Sequence, residues 1–277
     1  MTACNDIKPE VGITGTPVID KTGNIPNVLY VVTEEYNSGS SPTITQRLHA
    51  LNIFTGADVA PYLDIATAYG GPSNFAAGYQ NQRPALALTH DSSGNPLIYV
   101  AWASNCDITP YTGKAAVFTL TGGTPALSLL ATFDVTGGVS GATQGGIWMG
   151  GGGPAIDDVT GGSKDVYLST GNGNVSYGSP LTSSALGMSM LRLDLNLSST
   201  PVFSVVGAYT PNEYNILNNG SGSDCSSLLQ LPLPYTSPNN TYCIKADVDL
   251  DSGGVILARP TGSGVLPSDT NFVYLGM

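Results

Sequence analysis

The chain has 277 residues, of which 41% are hydrophobic and 10% are charged, and its formal net charge is −11. This composition excludes a disordered chain, because disorder pairs low hydrophobicity with high charge. Only nine residues are Lys or Arg, which argues against a nucleic-acid partner, since phosphates are bound by clusters of basic side chains. No apolar run approaches the roughly 20 residues that cross a bilayer, so no membrane span is expected.

One sequence pattern recurs four times along the chain. It consists of two apolar runs, rich in Val, Ile, Leu and Tyr, joined by a turn that contains Gly, and it predicts a β-hairpin. The four copies span residues 16–32, 83–100, 153–168 and 254–275. Tyr30, Tyr99 and Tyr167 are 69 and 68 residues apart, and the prolines that open the same copies are 67 and 70 residues apart. Because the spacing holds at both ends, we predict one structural unit that is repeated along the chain.

A second set of apolar runs follows the first three hairpins. These runs lie at residues 45–53, 115–120, 127–131, 189–195 and 201–206. Two hairpins per repeat make a four-stranded antiparallel unit, which is the blade of a β-propeller. No amphipathic stretch is long enough to predict a helix. We therefore predict an all-β, partial propeller of about three and a half blades. The predicted blades lie near residues 12–70, 80–136, 145–210 and 245–277, with a loop insertion at 211–244.

The composition and the cysteines indicate a secreted or periplasmic protein, although the first residues do not have the charged head and apolar segment of a signal peptide. Four cysteines allow three pairings. Cys225 and Cys243 flank a loop rich in Pro, Ser and Asn, and we expect them to be bonded. Cys4 and Cys106 are the expected second pair.

Two motifs resemble the quinoprotein dehydrogenase superfamily, whose members use pyrroloquinoline quinone. The first is Gly-Pro-Ala-Ile-Asp-Asp at 153–158, followed by Val-Tyr-Leu-Ser-Thr-Gly-Asn at 166–172, and the second is the run 50–57, which ends in Thr-Gly-Ala. The chain is most similar to uncharacterised quinoprotein-like propeller proteins of bacteria. The segments that carry this likeness are 12–20, 82–86, 145–149 and 247–249. The resemblance covers most of the chain and implies the propeller fold.

The resemblance also implies a candidate site. In the family, a carboxylate and the amide of Thr-Gly-Asn bind calcium. An aspartate later in the chain is a base or a ligand, and a tryptophan ring packs against one face of the quinone. Carried over to this sequence, Asp107 and Asn172 would be calcium ligands, Asp249 would be both ligand and catalytic base, and Trp148 would bind the quinone. Calcium takes six to eight oxygen ligands, so carboxylates and amides suit it. Cations available for the quinone carboxylates are Arg47, Arg83, Lys114, Arg192, Lys245 and Arg259.

Each of these residues also has a structural interpretation. Asp107 precedes Pro110 in a turn-like stretch, where Asp often caps its own backbone. Asn172 lies in Thr-Gly-Asn-Gly, an ordinary tight turn. Trp148 stands among glycines and could simply pack on neighbouring strands. Asp249 belongs to an alternating Asp-Val-Asp-Leu-Asp run that is also typical of a solvated strand face.

The repeat count bears on partners and on function. The fourth copy is cut short after residue 277, so the chain is expected to be an internal piece whose open sheet edges pair with missing blades or other chains. Gly150–Gly153 follow no phosphate-binding motif and are expected to allow close packing between blades. The first hypothesis is a binding or scaffold module without catalysis and without a cofactor. The second is part of an alcohol or sugar dehydrogenase that depends on pyrroloquinoline quinone and calcium.

Overall fold

The regular structure consists mainly of β-strands that pair antiparallel with their neighbours in the sequence. The computed structural model describes residues 11–38, 40–41, 43–107, 111–158, 163–198, 200–211, 252–258 and 272–275. The all-β prediction is confirmed for these ranges. None of their helices has the length and apolar character that a membrane span requires.

The first sheet, here called sheet 1, has four strands in sequential order. Val18 lies opposite Tyr30 in antiparallel register, so the first predicted hairpin is confirmed. A one-turn α-helix, α1 (Ile65–Ala68), follows the last strand, and the Asp64 carboxylate caps it by accepting the Thr67 N–H at 2.7 Å. The strands are β1 (Val18–Asp20), β2 (Val28–Asn37), β3 (Thr43–Asn52) and β4 (Leu63–Asp64).

The second sheet, sheet 2, has five strands because its long second hairpin strand pairs with two short ones. Its strands are β5 (Gln80–Asn81), β6 (Ala87–His90), β7 (Pro96–Ser104), β8 (Lys114–Thr121) and β9 (Ala126–Asp134). Strand β6 pairs with the first half of β7, and β5 pairs with its end. A short 3-10 turn, Ala77–Tyr79, leads into β5.

The third sheet, sheet 3, repeats the four-stranded order, and a fourth hairpin follows it. A small separate hairpin and the 3-10 turn Leu181–Ser183 are inserted in the middle of sheet 3. The sheet consists of β10 (Ala155–Asp158), β11 (Ser163–Ser169), β14 (Met190–Asn196) and β15 (Val202–Tyr209). The inserted hairpin is β12 (Val175–Ser176) with β13 (Ala185–Leu186), and the fourth hairpin is β16 (Val255–Ala258) with β17 (Phe272–Leu275).

The tyrosines mark the register of the repeat better than the prolines do. Each tyrosine of the pattern lies opposite the equivalent residue of the preceding strand, in the pairs Val18–Tyr30, Ala87–Tyr99, Ala155–Tyr167 and Ile256–Tyr274. Pro17 and Pro154 come directly before their paired residue, whereas Pro84 comes three residues before Ala87. The second copy therefore contains two extra residues before its first strand.

The sheets stack face to face on both sides of sheet 2. All nine residues of β7 are buried, as a continuous apolar run predicts. Ile98, Val100 and Trp102 pack in a core shared with sheet 1, whereas the alternating residues Leu97 and Tyr99 pack in a core shared with sheet 3. Because successive side chains of a strand point to opposite faces, one strand holds three layers together.

The segments that open the successive sheets contact one another directly. The Leu86 N–H donates to the Thr16 carbonyl at 3.0 Å, and the Ala85 N–H donates to the Gly152 carbonyl at 2.7 Å. A Cβ on Gly152 would lie 2.5 Å from the Gly254 Cα, so only glycine fits there. The predicted role of the glycine run in close packing is therefore confirmed at Gly152.

Candidate functional site

Asp107 lies in the turn after β7, and its carboxylate is bound to the loop itself. Asp107 Oδ1 accepts hydrogen bonds from the Ser104 hydroxyl at 3.0 Å and from the Tyr111 hydroxyl at 2.6 Å. The Asp107 N–H donates to Ser104 Oγ at 3.0 Å, and its φ of +48° lies in the left-handed region. Ser104 Oγ therefore caps this turn by accepting a backbone N–H, and the Asp107 carboxylate is held by two side-chain hydroxyl groups.

Trp148 lies in the segment that connects sheet 2 to sheet 3, and Asn172 contacts the same segment. The Asn172 carbonyl accepts the Gly145 N–H at 2.6 Å. Trp148 is half-buried, and the Arg83 guanidinium lies 5.9 Å from the centre of its ring. A cation within about 6 Å of an indole face is attracted by the ring. Trp148, which was predicted to bind the quinone, therefore lies beside Arg83, one of the cations predicted for the quinone carboxylates.

The described residues include only part of the predicted calcium and quinone site. Asp107 Oδ1 accepts hydrogen bonds from two hydroxyl groups, and within the described ranges no three His, Cys, Asp or Glu side chains cluster as metal ligands would. Asp249, the predicted base and third ligand, lies outside these ranges, as do Cys225 and Cys243. Cys106 is disulfide-bonded, and the predicted pairings remain predictions.

A cavity of about 610 Å³ lies between the segment that follows β4 and the outer strands of sheet 2. Its lining is mainly polar and comes from four separate stretches of the chain. The lining side chains that matter chemically are Tyr69, Gln80, Tyr111, Lys114, Thr132 and Asp134. Of these six residues, only Lys114 was predicted from the sequence, as a cation for a quinone.

An ion pair between a buried lysine and a partly exposed aspartate forms one wall of this cavity. Lys114 and Asp134 lie directly opposite each other in the β8–β9 register, and Lys114 Nζ is 2.7 Å from Asp134 Oδ1. Lys114 is 5% exposed, and its Nζ lies 5.8 Å from the centre of the Tyr69 ring. Because the two charges cancel, the wall offers hydrogen-bonding groups and no net charge.

Two buried polar atoms at the cavity have no hydrogen-bond partner in the structure. They are the Tyr69 hydroxyl and Gln80 Oε1, and Gln80 is 3% exposed. Burial, together with the negative charge of Asp134, raises the pKa of Tyr69 well above its usual value, so this hydroxyl keeps its proton. Buried polar groups in proteins are nearly always hydrogen-bonded, and exceptions at a cavity point to a missing partner.

Gln80 is positioned by a chain of hydrogen bonds that joins sheets 1 and 2. The Trp102 indole N–H donates to Gln46 Oε1 at 2.8 Å, and Gln46 Nε2 donates to the Gln80 carbonyl at 2.6 Å. Asn105 Nδ2 also donates to that carbonyl, at 3.3 Å. These bonds fix the main chain of Gln80, which is one of the residues that line the cavity.

A second cavity, of about 600 Å³, lies beside the β6–β7 turn. Its lining includes His90, Asp91, Thr119 and Lys164. His90 contacts Asp20 of sheet 1, at 2.9 Å, and Asp91 caps its own turn by accepting the N–H groups of Ser93 and Asn95. These carboxylates are already engaged in structural contacts.

In comparisons with known proteins, no family model and no curated protein matches the chain.

Proposed function

We propose that the chain is part of a β-propeller, similar to the quinoprotein-like propellers, and that it serves outside the cytoplasm as a binding or scaffold module without catalysis. The stacking of sheets 1, 2 and 3, with their opening segments in contact, supports the propeller. In a propeller the first strands of successive blades meet around an axis, and the Thr16–Leu86 and Ala85–Gly152 bonds support such an arrangement for this chain.

The observation that carries the binding function is the cavity with two buried polar atoms that have no partner. Its groups suit recognition better than acid–base chemistry. Lys114 is held by Asp134 and is not a free nucleophile or base, while Tyr69 stays protonated. Hydrogen-bond donors and acceptors of fixed position are what a small-molecule site needs.

The dehydrogenase remains the second candidate because of one contact. Arg83 over Trp148 is an arrangement that could hold an anionic aromatic cofactor between a cation and an indole floor. Among the described residues no cluster of metal-ligating side chains accompanies this contact, and Asp107 Oδ1 accepts hydrogen bonds from two hydroxyl groups. Partners at the open sheet edges, either further blades or other chains, belong to both candidates.

An activity measurement separates the two candidates. Purified chain is incubated with pyrroloquinoline quinone and calcium, and dye reduction is followed with alcohols and sugars. We expect no reduction above a protein-free control. Turnover that requires both quinone and calcium, and that is lost in Trp148→Ala, would replace the binding module with the dehydrogenase. Trp102 is not a suitable comparison because it is buried in the core, so Tyr36→Ala, at an exposed site, serves as the matched control.

A further inference from the structure

We propose that the cavity lined by Tyr69, Gln80, Lys114 and Asp134 binds a neutral cyclic polyol of the size of a monosaccharide. The inference rests on the binding function proposed above, because it names what that module binds. It uses the cavity between α1 and sheet 2, and it does not use the Trp148 segment or any residue of the predicted calcium set.

The size of the cavity suits a small ligand. Its volume of about 610 Å³ falls in the range of roughly 300–1,000 Å³ that small-molecule sites occupy. The rings of Tyr69 and Tyr111 are part of the lining, so the cavity has apolar surfaces as well as polar atoms. A sugar ring matches this mixture, because its C–H face is apolar and its rim carries hydroxyl groups.

The charge of the cavity selects against ions. Lys114 Nζ and Asp134 Oδ1 are 2.7 Å apart and neutralise each other. An anionic ligand would have to compete with Asp134 for the ammonium group, and a cationic ligand would have to compete with Lys114 for the carboxylate. The Lys114 side chain is 7% exposed, so separating the pair would leave a buried ammonium group without its partner, which is costly. A neutral ligand can bind while the pair stays intact.

The two atoms without a hydrogen-bond partner, the Tyr69 hydroxyl and Gln80 Oε1, match the hydroxyl groups of a ligand. The Tyr69 hydroxyl can donate and Gln80 Oε1 can only accept, so the ligand must supply an acceptor and a donor. Each hydroxyl of a polyol does both. Lys114 has three N–H donors and donates one hydrogen bond to Asp134, which leaves donors for a further ligand oxygen.

The test is a titration of the whole chain with defined probes. Binding of D-glucose, D-galactose, D-mannose and myo-inositol is measured by isothermal calorimetry and by ligand-observed NMR. Tetrahydropyran, a ring of similar shape without hydroxyl groups, is the negative probe. We expect at least one polyol to bind and tetrahydropyran not to bind. No binding by any polyol, or equal binding of tetrahydropyran, would overturn the proposal.

Variants locate the site. Tyr69→Phe removes only the hydroxyl, and loss of one hydrogen bond should weaken polyol binding about tenfold. Tyr36→Phe makes the same change at an exposed tyrosine outside the cavity and should leave binding unchanged. Thermal unfolding without ligand gives the second readout. Since the Tyr69 hydroxyl has no partner in the free protein, Tyr69→Phe should unfold at the same or a higher temperature, whereas a hydroxyl with a purely structural role would lower it. Unchanged affinity in Tyr69→Phe would refute the assignment.

The two proposals fail in different ways. If a sugar binds and is also oxidised when quinone and calcium are added, the module is catalytic and the function proposed above falls, while the polyol site stands. If no polyol binds and no dye is reduced, the polyol site falls and the non-catalytic function stands.

Discussion

His90 Nε2 lies 2.9 Å from Asp20 Oδ2, and this contact joins the last residue of β6 to the last residue of β1. Asp20 is 1% exposed, and its other oxygen accepts the N–H groups of Thr22 and Gly23, both at 2.9 Å. One buried carboxylate therefore closes the β1–β2 turn and also links sheet 1 to sheet 2. A carboxylate with several donors is stabilised in its charged form.

The stability of the fold should decrease in acid through this carboxylate. Burial of Asp20 acts to raise its pKa, but hydrogen bonds from Thr22, His90 and Gly23, and the charge of His90, outweigh it and lower the pKa. A group whose pKa is lower in the folded state stabilises the fold above its ordinary pKa, and that contribution is lost as the pH falls through the folded value. Urea unfolding of the wild type between pH 6 and pH 2 should show the decrease below about pH 4.

Asp20→Asn isolates the effect. We expect it to cost roughly 1–3 kcal/mol at pH 6 because donors are left without a charged partner, and to flatten the acid limb of the stability curve. Asp58→Asn, on a half-exposed carboxylate, is the matched control and should change little. An acid limb as steep in Asp20→Asn as in the wild type would show that other carboxylates cause the decrease.

Glu34 should give a stability change of the opposite sign near neutral pH. Burial raises its pKa to about 7, although hydrogen bonds from Asn105 and Gln46 act against this rise. A carboxyl group whose pKa is raised on folding stabilises the fold below its ordinary pKa, and the contribution is lost as the pH rises through about 7. The wild type should therefore be less stable to urea at pH 8 than at pH 5.5.

Glu34→Gln should remove this difference. It keeps an acceptor for Gln46 Nε2, which lies 3.2 Å from Glu34 Oε2, and removes the buried charge. At pH 8 the variant should be more stable than the wild type by roughly 1–3 kcal/mol. Glu35→Gln, on the neighbouring carboxylate that pairs with Arg47 at the surface, should show no such gain. Equal stability of wild type and Glu34→Gln at pH 8 would contradict the raised pKa.

The hairpins could be predicted from the sequence because their information is local. Apolar residues alternate with polar ones in a strand that is buried on one face, and they are continuous in a strand that is buried on both faces. Gly-containing turns then fix which residues pair. This is why the Val18–Tyr30 and Ala155–Tyr167 registers follow from the pattern. The division of the first strand of sheet 2 into β5 and β6 could not be predicted in this way. Two residues are too few to form an apolar pattern, and β5 is set by its contact with the end of β7.

The cavity could not be predicted because its residues meet only in the folded chain. Tyr69 follows α1, Gln80 opens the two-residue strand β5, and Asp134, the last residue of β9, follows Gln80 by more than 50 residues. One signal was present, since a lysine opens the apolar run of β8 and a buried lysine needs a partner. The aspartate at the end of the same hairpin supplies it. Family motifs led instead to Asp107, whose own loop uses its carboxylate.

Gly152 should tolerate no side chain. A Cβ at this position would lie 2.5 Å from the Gly254 Cα, which is backbone and cannot move aside easily. Gly152→Ala should therefore separate sheet 3 from the fourth hairpin and cost roughly 1–3 kcal/mol of unfolding free energy. Gly122→Ala is the matched control, because a Cβ there meets nothing within 4 Å. Denaturant midpoints of the two variants make the comparison, and equal midpoints would mean that the two glycines do not pack closely in solution.

The two tryptophans should differ sharply in what they contribute to stability. Trp102 is fully buried, its ring packs edge-on against Phe75 and Phe118, and its N–H donates to Gln46 Oε1 at 2.8 Å. Trp102→Phe leaves both a void and an acceptor without its donor, so we expect a loss of roughly 3–5 kcal/mol. Trp148→Phe changes a half-buried ring beside Arg83 and should cost about 1 kcal/mol or less.

Each variant retains a single tryptophan, so intrinsic fluorescence reports unfolding in both. In Trp102→Phe the loss should extend to the cavity, because the bonds from Trp102 to Gln46 and from Gln46 to the Gln80 carbonyl form one chain. Polyol binding should therefore weaken in Trp102→Phe even under conditions where the variant is fully folded, and should persist in Trp148→Phe. If the two variants unfold at the same urea concentration, the buried network between sheets 1 and 2 does not carry the stability assigned to it.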